Sequence, residues 1–333
     1  MLIFVMSIAV MFRLAARITN MNINSQNITT NEGSSMSKMQ SVAVIGLGSM
    51  GMGVAKSCLR ADFDVYGVDV NPAALEELAS CGAKATSTSA VAFAQELDAV
   101  VVLVVNAQQV RTVLFDSGLV AALKPQTPVM VCATISAEDA KAIAADLATY
   151  SLPMLDAPIS GGAVKAAAGE LTVMASGSQA VFAQLEPVLS AVASQVYTVG
   201  EEIGMGSTVK IIHQLLAGVH IAAGAEAMAM AARANIPLDL MYDVVTHAAG
   251  NSWMFENRMK HVVDGDYSPK SMVDIFVKDL GLVADTAKSL HFPLPLASTA
   301  LNMFTTASNA GYGKEDDSAV IKIFPGITLP NKE

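Results

Sequence analysis

Short apolar runs and amphipathic stretches alternate along the chain from Ser41 onward. The run SVAVIG (41–46) is β-branched and ends in glycine, as a buried parallel strand does, and a helix is predicted from there to about Arg60. DVYGVDV (64–70) reads as a second strand, and NPAALEELASCG as a helix opened by Pro72 and closed by Gly82. A helical segment near Val91–Leu97, a strand AVVVLVV (99–105), a strand at Val129–Cys132 and a helix at Ala137–Tyr150 follow. Met154–Asp156, Leu171–Ala175 and Val196–Val199 read as further strands. Strands alternating with helices imply a parallel sheet covered on both faces. Beyond about Gly200 strand signals become scarce. Residues 207–234 read as one long helix rich in Ala, Met, Ile and Leu, with further helices over Leu238–Ala248, Met254–Val263, Ile275–Ser289 and Leu296–Ala310. The pattern predicts an α/β domain over residues 40–200 and an all-α domain over 201–330.

Composition narrows the class. The chain has 333 residues, 53% of them hydrophobic and 15% charged, which suits two domains with large cores and a subunit interface. Its net charge is −10, and the one tight basic cluster is Arg258–Lys260–His261, so a nucleic-acid partner is not expected. Cys58, Cys81 and Cys132 are scattered and lack metal-ligand spacing, and the five histidines give no zinc signature. That usage points to a reducing compartment, the cytoplasm, and to no metal. Met1–Phe12 is apolar but short for a bilayer span, its arginines follow rather than precede it, and Asn20–Lys38 is rich in Asn, Ser and Thr. Residues 1–39 are expected to be a disordered or mis-called extension, with no membrane partner. The apolar circumference of 207–234 predicts burial within a domain or between subunits, and a homo-oligomer, dimer or tetramer, is expected.

Chemistry enters at GLGSMG. Gly46, Gly48 and Gly51 stand in G-x-G-x-x-G register between a strand and a helix, with Leu47, Ser49 and Met50 between them. Asp69 follows 23 positions after Gly46. This context is that of a Rossmann-type dinucleotide site: glycines permit the turn and the close approach of a pyrophosphate, and the helix N-terminus attracts its charge. An acidic Asp69 would bind ribose hydroxyls and repel a 2′-phosphate, and no arginine follows it, which favours NAD over NADP. The fingerprint by itself leaves FAD open. Asn106 and Thr134 follow predicted strands, where ligands bind in open parallel sheets; either one lines the nicotinamide side or caps a loop.

Two further motifs suggest a reacting centre. In DAPISGG (156–162), Ser160 offers a hydroxyl, and Gly161 and Gly162 offer unobstructed N–H groups for a carboxylate. In GMGSTVKIIHQ (204–214), Lys210 lies in an apolar run at the start of the long helix. Burial would lower its pKa toward neutrality and make it a general base. Gln214, one turn on, shares its face and would orient the amine or the substrate. His213, Asn251, Ser252 and Trp253 are weaker candidates for reading distal hydroxyls.

The blocks GLGSMGMGVA, DAPISGG, GMGSTVK and FVKDLGLVADTA, in this order, resemble the β-hydroxyacid dehydrogenases, the group that includes 3-hydroxyisobutyrate dehydrogenase and tartronate semialdehyde reductase. The resemblance spans about residues 41–330. It implies a Rossmann-type domain followed by an all-α domain, Lys210 as acid–base catalyst, Gly46–Gly51, Asp69 and Thr134 at the cofactor, and Ser160–Gly162 at the substrate carboxylate. It adds Lys278, which would complete the cofactor site from the helical domain. The stretches VKIIHQLLAGVHIAAGAEAMA, AAGNSWMFENRM and GYGKEDDSAVIKIF carry a closer likeness that implies oxidation of a sugar acid, L-threonate, by NAD to the 2-oxo acid. The family pattern has asparagine four residues after the lysine; here it is Gln214, which reshapes the pocket and suits a polyhydroxylated acid. The alternatives are a reductase of a semialdehyde and a non-catalytic NAD-binding regulator. The latter would need neither the Ser-Gly-Gly turn nor Lys210.

Overall fold

The computed structural model describes residues 39–331, so the expectation for the N-terminal extension lies outside the described residues, apart from Met39. In the α/β half, β1 (Ser41–Ile45) leads to α1 (Ser49–Arg60), β2 (Asp64–Val68), α2 (Pro72–Ser80) and β3 (Ala85–Ser87). β4 (Ala99–Val102), α3 (Ala107–Arg111), α4 (Leu119–Ala122), β5 (Val129–Val131) and α5 (Ala137–Thr149) follow. Then come β6 (Met154–Asp156), β7 (Ile159–Ser160), α6 (Gly162–Ala168), β8 (Leu171–Ser176), α7 (Gln179–Val192) and β9 (Ala193–Gly200). The helical half contains α8 (Met205–Arg233), α9 (Leu238–Thr246), α10 (Trp253–Asp264), α11 (Val273–Ser289), α12 (Pro295–Ala307) and a 3₁₀ turn at Asp317–Ile323.

The sheet runs β3-β2-β1-β4-β5-β6, all parallel, and then turns antiparallel at β8, which pairs with β6 through Asp156 and Ser176. β7 pairs antiparallel and β9 parallel with β8. This is the Rossmann order, with its crevice where the strand order reverses beside β1 and β4. Both faces are covered: Val42 and Val44 belong to one apolar core, while Ala43 and Ile45 belong to the other. That explains why β1 reads as a continuous apolar run rather than an alternating one. A third core fills the helical half around Ile211, Ile221, Phe276 and Phe304.

Two expected elements end differently. The strand expected over 99–105 stops at Val102. Leu103, Val104 and Val105 remain apolar because they line a cleft rather than the sheet. β9 is longer than expected because it runs the full length of β8. The long helix, α8, is by length and composition able to cross a bilayer, yet half of its most apolar window is buried in this fold.

The start of α8 is fixed by a buried acid. Asp156, at the end of β6 and 0% exposed, accepts the N–H groups of Gly204 (3.0 Å) and Ser207 (2.9 Å) and the Ser207 hydroxyl (2.7 Å). The Ser176 hydroxyl donates to the same carboxylate at 3.2 Å, and its oxygen accepts the Gly206 N–H at 3.0 Å. These are the N–H groups a helix start leaves without partners. Burial pushes the Asp156 carboxyl pKa above its ordinary value, and the donors from Ser207, Gly204 and Ser176 oppose it. Asp156→Ala strands several buried donors at once. It is expected to lower stability by about 3 kcal/mol or more, seen as a drop in the denaturant midpoint, with Asp156→Asn losing less.

Candidate active site

The glycine loop begins where β1 ends. Gly46 adopts φ +92°, and a Cβ there would lie 2.6 Å from the Leu103 carbonyl oxygen. At Gly51, in the first turn of α1, a Cβ would lie 1.8 Å from the Gly46 carbonyl oxygen. Both positions are closed to any side chain by the fold itself. Gly48 differs: a Cβ there would meet no atom within 4 Å. It caps α1 without a side-chain acceptor and lines a cavity together with Ser49, Met50 and Gly51. The first-turn N–H groups of a helix beside open space form a cradle for an anionic group.

Asp69 stands one residue past β2. Its Oδ2 accepts the Leu47 N–H at 2.6 Å and its Oδ1 accepts the Asn71 N–H at 2.8 Å. The carboxylate is thus held at the rim of the glycine loop, with spare acceptor capacity on each oxygen. Asn106 lies outside the cavity: its side chain accepts the Gln109 N–H and caps α3, which is the loop-capping alternative. Thr134 lines the cavity. Gly46, Leu47 and Asp69 do not line the cavity; they belong to the loop and its rim, joined by the Leu47 N–H to Asp69 bond.

The cavity, about 430 Å³, extends from Gly48 past Thr134, Ser160 and Lys210 to Arg258 and Lys270. Ser160, Gly161 and Gly162 line one wall, with the two glycines at positive φ (+137° and +73°) turning their peptides out of β7. Lys210 faces them from the second turn of α8. It is 6% exposed and forms no hydrogen bond or ion pair among the described residues. Burial brings its pKa from 10.5 down to about 8; the Asp279 carboxylate opposes this and the Lys278 ammonium adds to it.

A directed chain of bonds runs behind the lysine. The Ser160 hydroxyl lies 3.4 Å from His213 Nε2, and His213 Nδ1 lies 3.0 Å from Gln214 Oε1. Gln214 Nε2 donates to Asp279 Oδ2 at 2.6 Å. Asp279 Oδ1 is ion-paired with Lys278 Nζ at 2.8 Å. Lys278 Nζ also donates to the Val105 carbonyl (2.7 Å) and the Thr134 carbonyl (3.0 Å). It therefore ties the segments that follow β4 and β5 to α11.

Of the residues expected to read distal groups, His213 and Trp253 line the cavity. Asn251 and Ser252 do not: Asn251 donates to the Thr246 carbonyl and Glu256, and Ser252 caps α10 by accepting the Phe255 N–H. Arg258 was legible only as part of a basic cluster. In the fold it lines the cavity, its Nε 2.7 Å from the buried carboxylate of Asp317. Asp279 and Asp156 carry no signal in the sequence beyond lying inside the matched blocks.

Residues 41–200 match the family model of the NAD binding domain of 6-phosphogluconate dehydrogenase. Residues 204–324 match that for the NAD-binding region of NADP-dependent 3-hydroxyisobutyrate dehydrogenase. The chain is 73% identical to the L-threonate dehydrogenase of Pectobacterium atrosepticum over 293 residues, 88% of this chain and 96% of that one. It is 70% identical to the L-threonate dehydrogenase of Escherichia coli K12 over 290 residues, 87% and 96% of the two chains. A crystal structure described as 3-hydroxyisobutyrate dehydrogenase from Salmonella typhimurium is 70% identical, with a TM-score of 0.84, covering 86% of this chain and all of that one.

The glycine cradle, the room at Gly48 and the acceptor at Asp69 together fit a dinucleotide without a 2′-phosphate. Asp69→Ser is expected to cut the preference for NADH over NADPH by about tenfold, read as the ratio of their dissociation constants by fluorescence titration.

Proposed function

The chain belongs to the 3-hydroxyisobutyrate dehydrogenase family, and from that premise we propose that it oxidises L-threonate with NAD to 2-oxo-tetronate (2-dehydro-L-erythronate). The observation that carries the chemistry is Lys210, a buried amine without a bonding partner among the described residues, facing a cavity bounded by an anion cradle and a Ser-Gly-Gly turn. The relatives at 70–73% identity that act on L-threonate support the choice of substrate.

Bound NAD supplies the hydride acceptor. The rest falls to side chains of this chain. The Ser160 hydroxyl and the N–H groups of Gly161 and Gly162 hold the substrate carboxylate. Lys210, as the neutral amine, takes the proton of the 2-hydroxyl while the hydride leaves the same carbon. The resulting ammonium is steadied by the Asp279 carboxylate. In the reverse direction the ammonium returns that proton to the carbonyl oxygen. Lys278 holds the segments at Val105 and Thr134, and so sets the floor on which the reacting carbon lies.

A second reading, 3-hydroxyisobutyrate as substrate, draws on the name given to the Salmonella structure. The polar lining of the cavity speaks for the sugar acid. His213, Arg258 and Lys270 all line it, and His213 Nε2 meets only the long 3.4 Å contact of the Ser160 hydroxyl, so a substrate hydroxyl suits this wall better than a methyl group.

The reading extends to assembly and location. Val209, Ile212, Leu216 and Met230 leave an exposed apolar stripe on α8, with Met230 75% exposed. Covering it in a homo-oligomer accounts for it, and light scattering should give a mass above that of one 34.6 kDa chain. Three cysteines, all free, suit the cytoplasm.

Oxidation needs the neutral amine. Because the Lys210 pKa is lowered to about 8, kcat/KM for oxidation should rise with pH through about 8 and then level off. The reverse reduction should fall over the same window. Lys210→Ala is expected to lose roughly 10²–10⁴-fold in kcat while keeping NADH affinity. Assay of L-threonate and 3-hydroxyisobutyrate with NAD and NADP, with the product identified by mass spectrometry, should rank L-threonate with NAD first. A preference for 3-hydroxyisobutyrate would favour the second reading.

A further inference from the structure

The bonds behind Lys210 have a fixed direction, and that direction determines what His213 presents to the cavity. Asp279 is a carboxylate with an ammonium on Oδ1, so its Oδ2 only accepts. The 2.6 Å contact from Gln214 must therefore come from the amide nitrogen, Nε2. That orientation aims Gln214 Oε1, an acceptor, at His213 Nδ1, 3.0 Å away. A bond there requires the proton to be on Nδ1. In the neutral imidazole the other nitrogen, Nε2, is then a bare acceptor. Burial and the neighbouring Lys210 both lower the His213 pKa, which favours the neutral ring. Nε2 points toward the substrate turn, where the Ser160 hydroxyl is 3.4 Å away, a long and weak bond.

A serine hydroxyl has one hydrogen. If Ser160 donates it to a substrate carboxylate, Nε2 loses its donor. The reacting 2-hydroxyl cannot replace it, because its only proton goes to Lys210. Either a water or a further substrate hydroxyl must then donate to Nε2, and a hydroxyl close to the carboxylate does so without the cost of holding a water in place. A hydroxy acid with a single hydroxyl has none to offer; a polyhydroxylated acid has one at its next carbons.

We propose that His213 is the residue that selects polyhydroxylated acids: its Nε2, held as an acceptor by Gln214 and Asp279, receives a hydrogen bond from a substrate hydroxyl other than the one oxidised. The inference rests on the proposed function for the roles of Ser160 and Lys210. It assigns Gln214 a positioning role, since both ends of its amide are engaged within the protein. It also gives the departure from asparagine a physical purpose. The longer side chain is what bridges His213 to Asp279 across the two helices α8 and α11.

His213 is open to the cavity and packs in none of the three cores, so its replacement leaves folding intact. The test uses the full chain loaded with NADH, in which neither acid can be oxidised. Calorimetry then gives dissociation constants for L-threonate and for 2-hydroxybutanoate, which lacks the other two hydroxyls. His213→Leu should weaken L-threonate by about tenfold and 2-hydroxybutanoate by less than about threefold. His213→Gln, whose amide oxygen reaches near the Nε2 position, should recover part of the loss. Equal weakening of both acids, or unchanged L-threonate affinity in the leucine variant, would overturn the proposal. Turnover of L-threonate by the unaltered protein with NAD is scored separately. Selective binding without turnover would defeat the proposed function and leave the role of His213 standing, while turnover without the selective loss would do the opposite.

Discussion

The carboxylate of Asp156 sits where the sheet turns from parallel to antiparallel and meets the start of α8, and the geometry of the site depends on it. It gathers the N–H groups of Gly204 and Ser207 and the hydroxyls of Ser176 and Ser207 into one buried knot. Lys210 lies three residues further on, less than one turn from that anchor. Its height above the carboxyl ends of β1, β4 and β5 is therefore tied to the sheet by a contact between β6 and the start of α8, and not only by packing among the helices. The same strand end leads within four residues to Ser160. One acid at the carboxyl end of an interior strand thus fixes both sides of the reacting centre.

Two adjacent lysines in this site behave differently, and their bonding explains why. Lys278 donates to two carbonyls and is ion-paired with a carboxylate, so its amine is fully engaged within the protein. Lys210 has no such partners and is buried, so removing its charge costs least there. The fixed cation nearby lowers the Lys210 pKa further, and Asp279 keeps it from falling too far. A proton acceptor poised near neutral pH results from this division of labour.

Much of this was legible in the sequence, for reasons that differ from residue to residue. β1, α1 and Asp69 were readable because their pattern is local: a β-branched run, three glycines and an acid at a set distance. α8 was readable because its apolar residues continue over 29 positions. Lys210 stood out because a charge in such a helix conflicts with its surroundings. Asp279 and Asp156 did not stand out, since their partners lie 65 and about 50 residues away in the chain. β7 has two residues, too few for any periodicity. The run at 99–105 misled because apolar residues lining a cleft look the same as apolar residues in a sheet. Asn106 stays ambiguous in sequence because a cap and a ligand both use a short amide at a strand's end, and in the fold its side chain serves as the cap.

The three glycines of the loop look alike in sequence but answer to different pressures. The chain's own atoms leave no room for a side chain at Gly46 and Gly51, so in this backbone folding alone is enough to hold them. At Gly48 the space is open, and only an occupant of the cradle would object to a methyl group. Selection for stability alone would let alanine drift into that position unnoticed. A descendant that had ceased to bind its dinucleotide would betray the loss there first, while remaining as well folded as its ancestor.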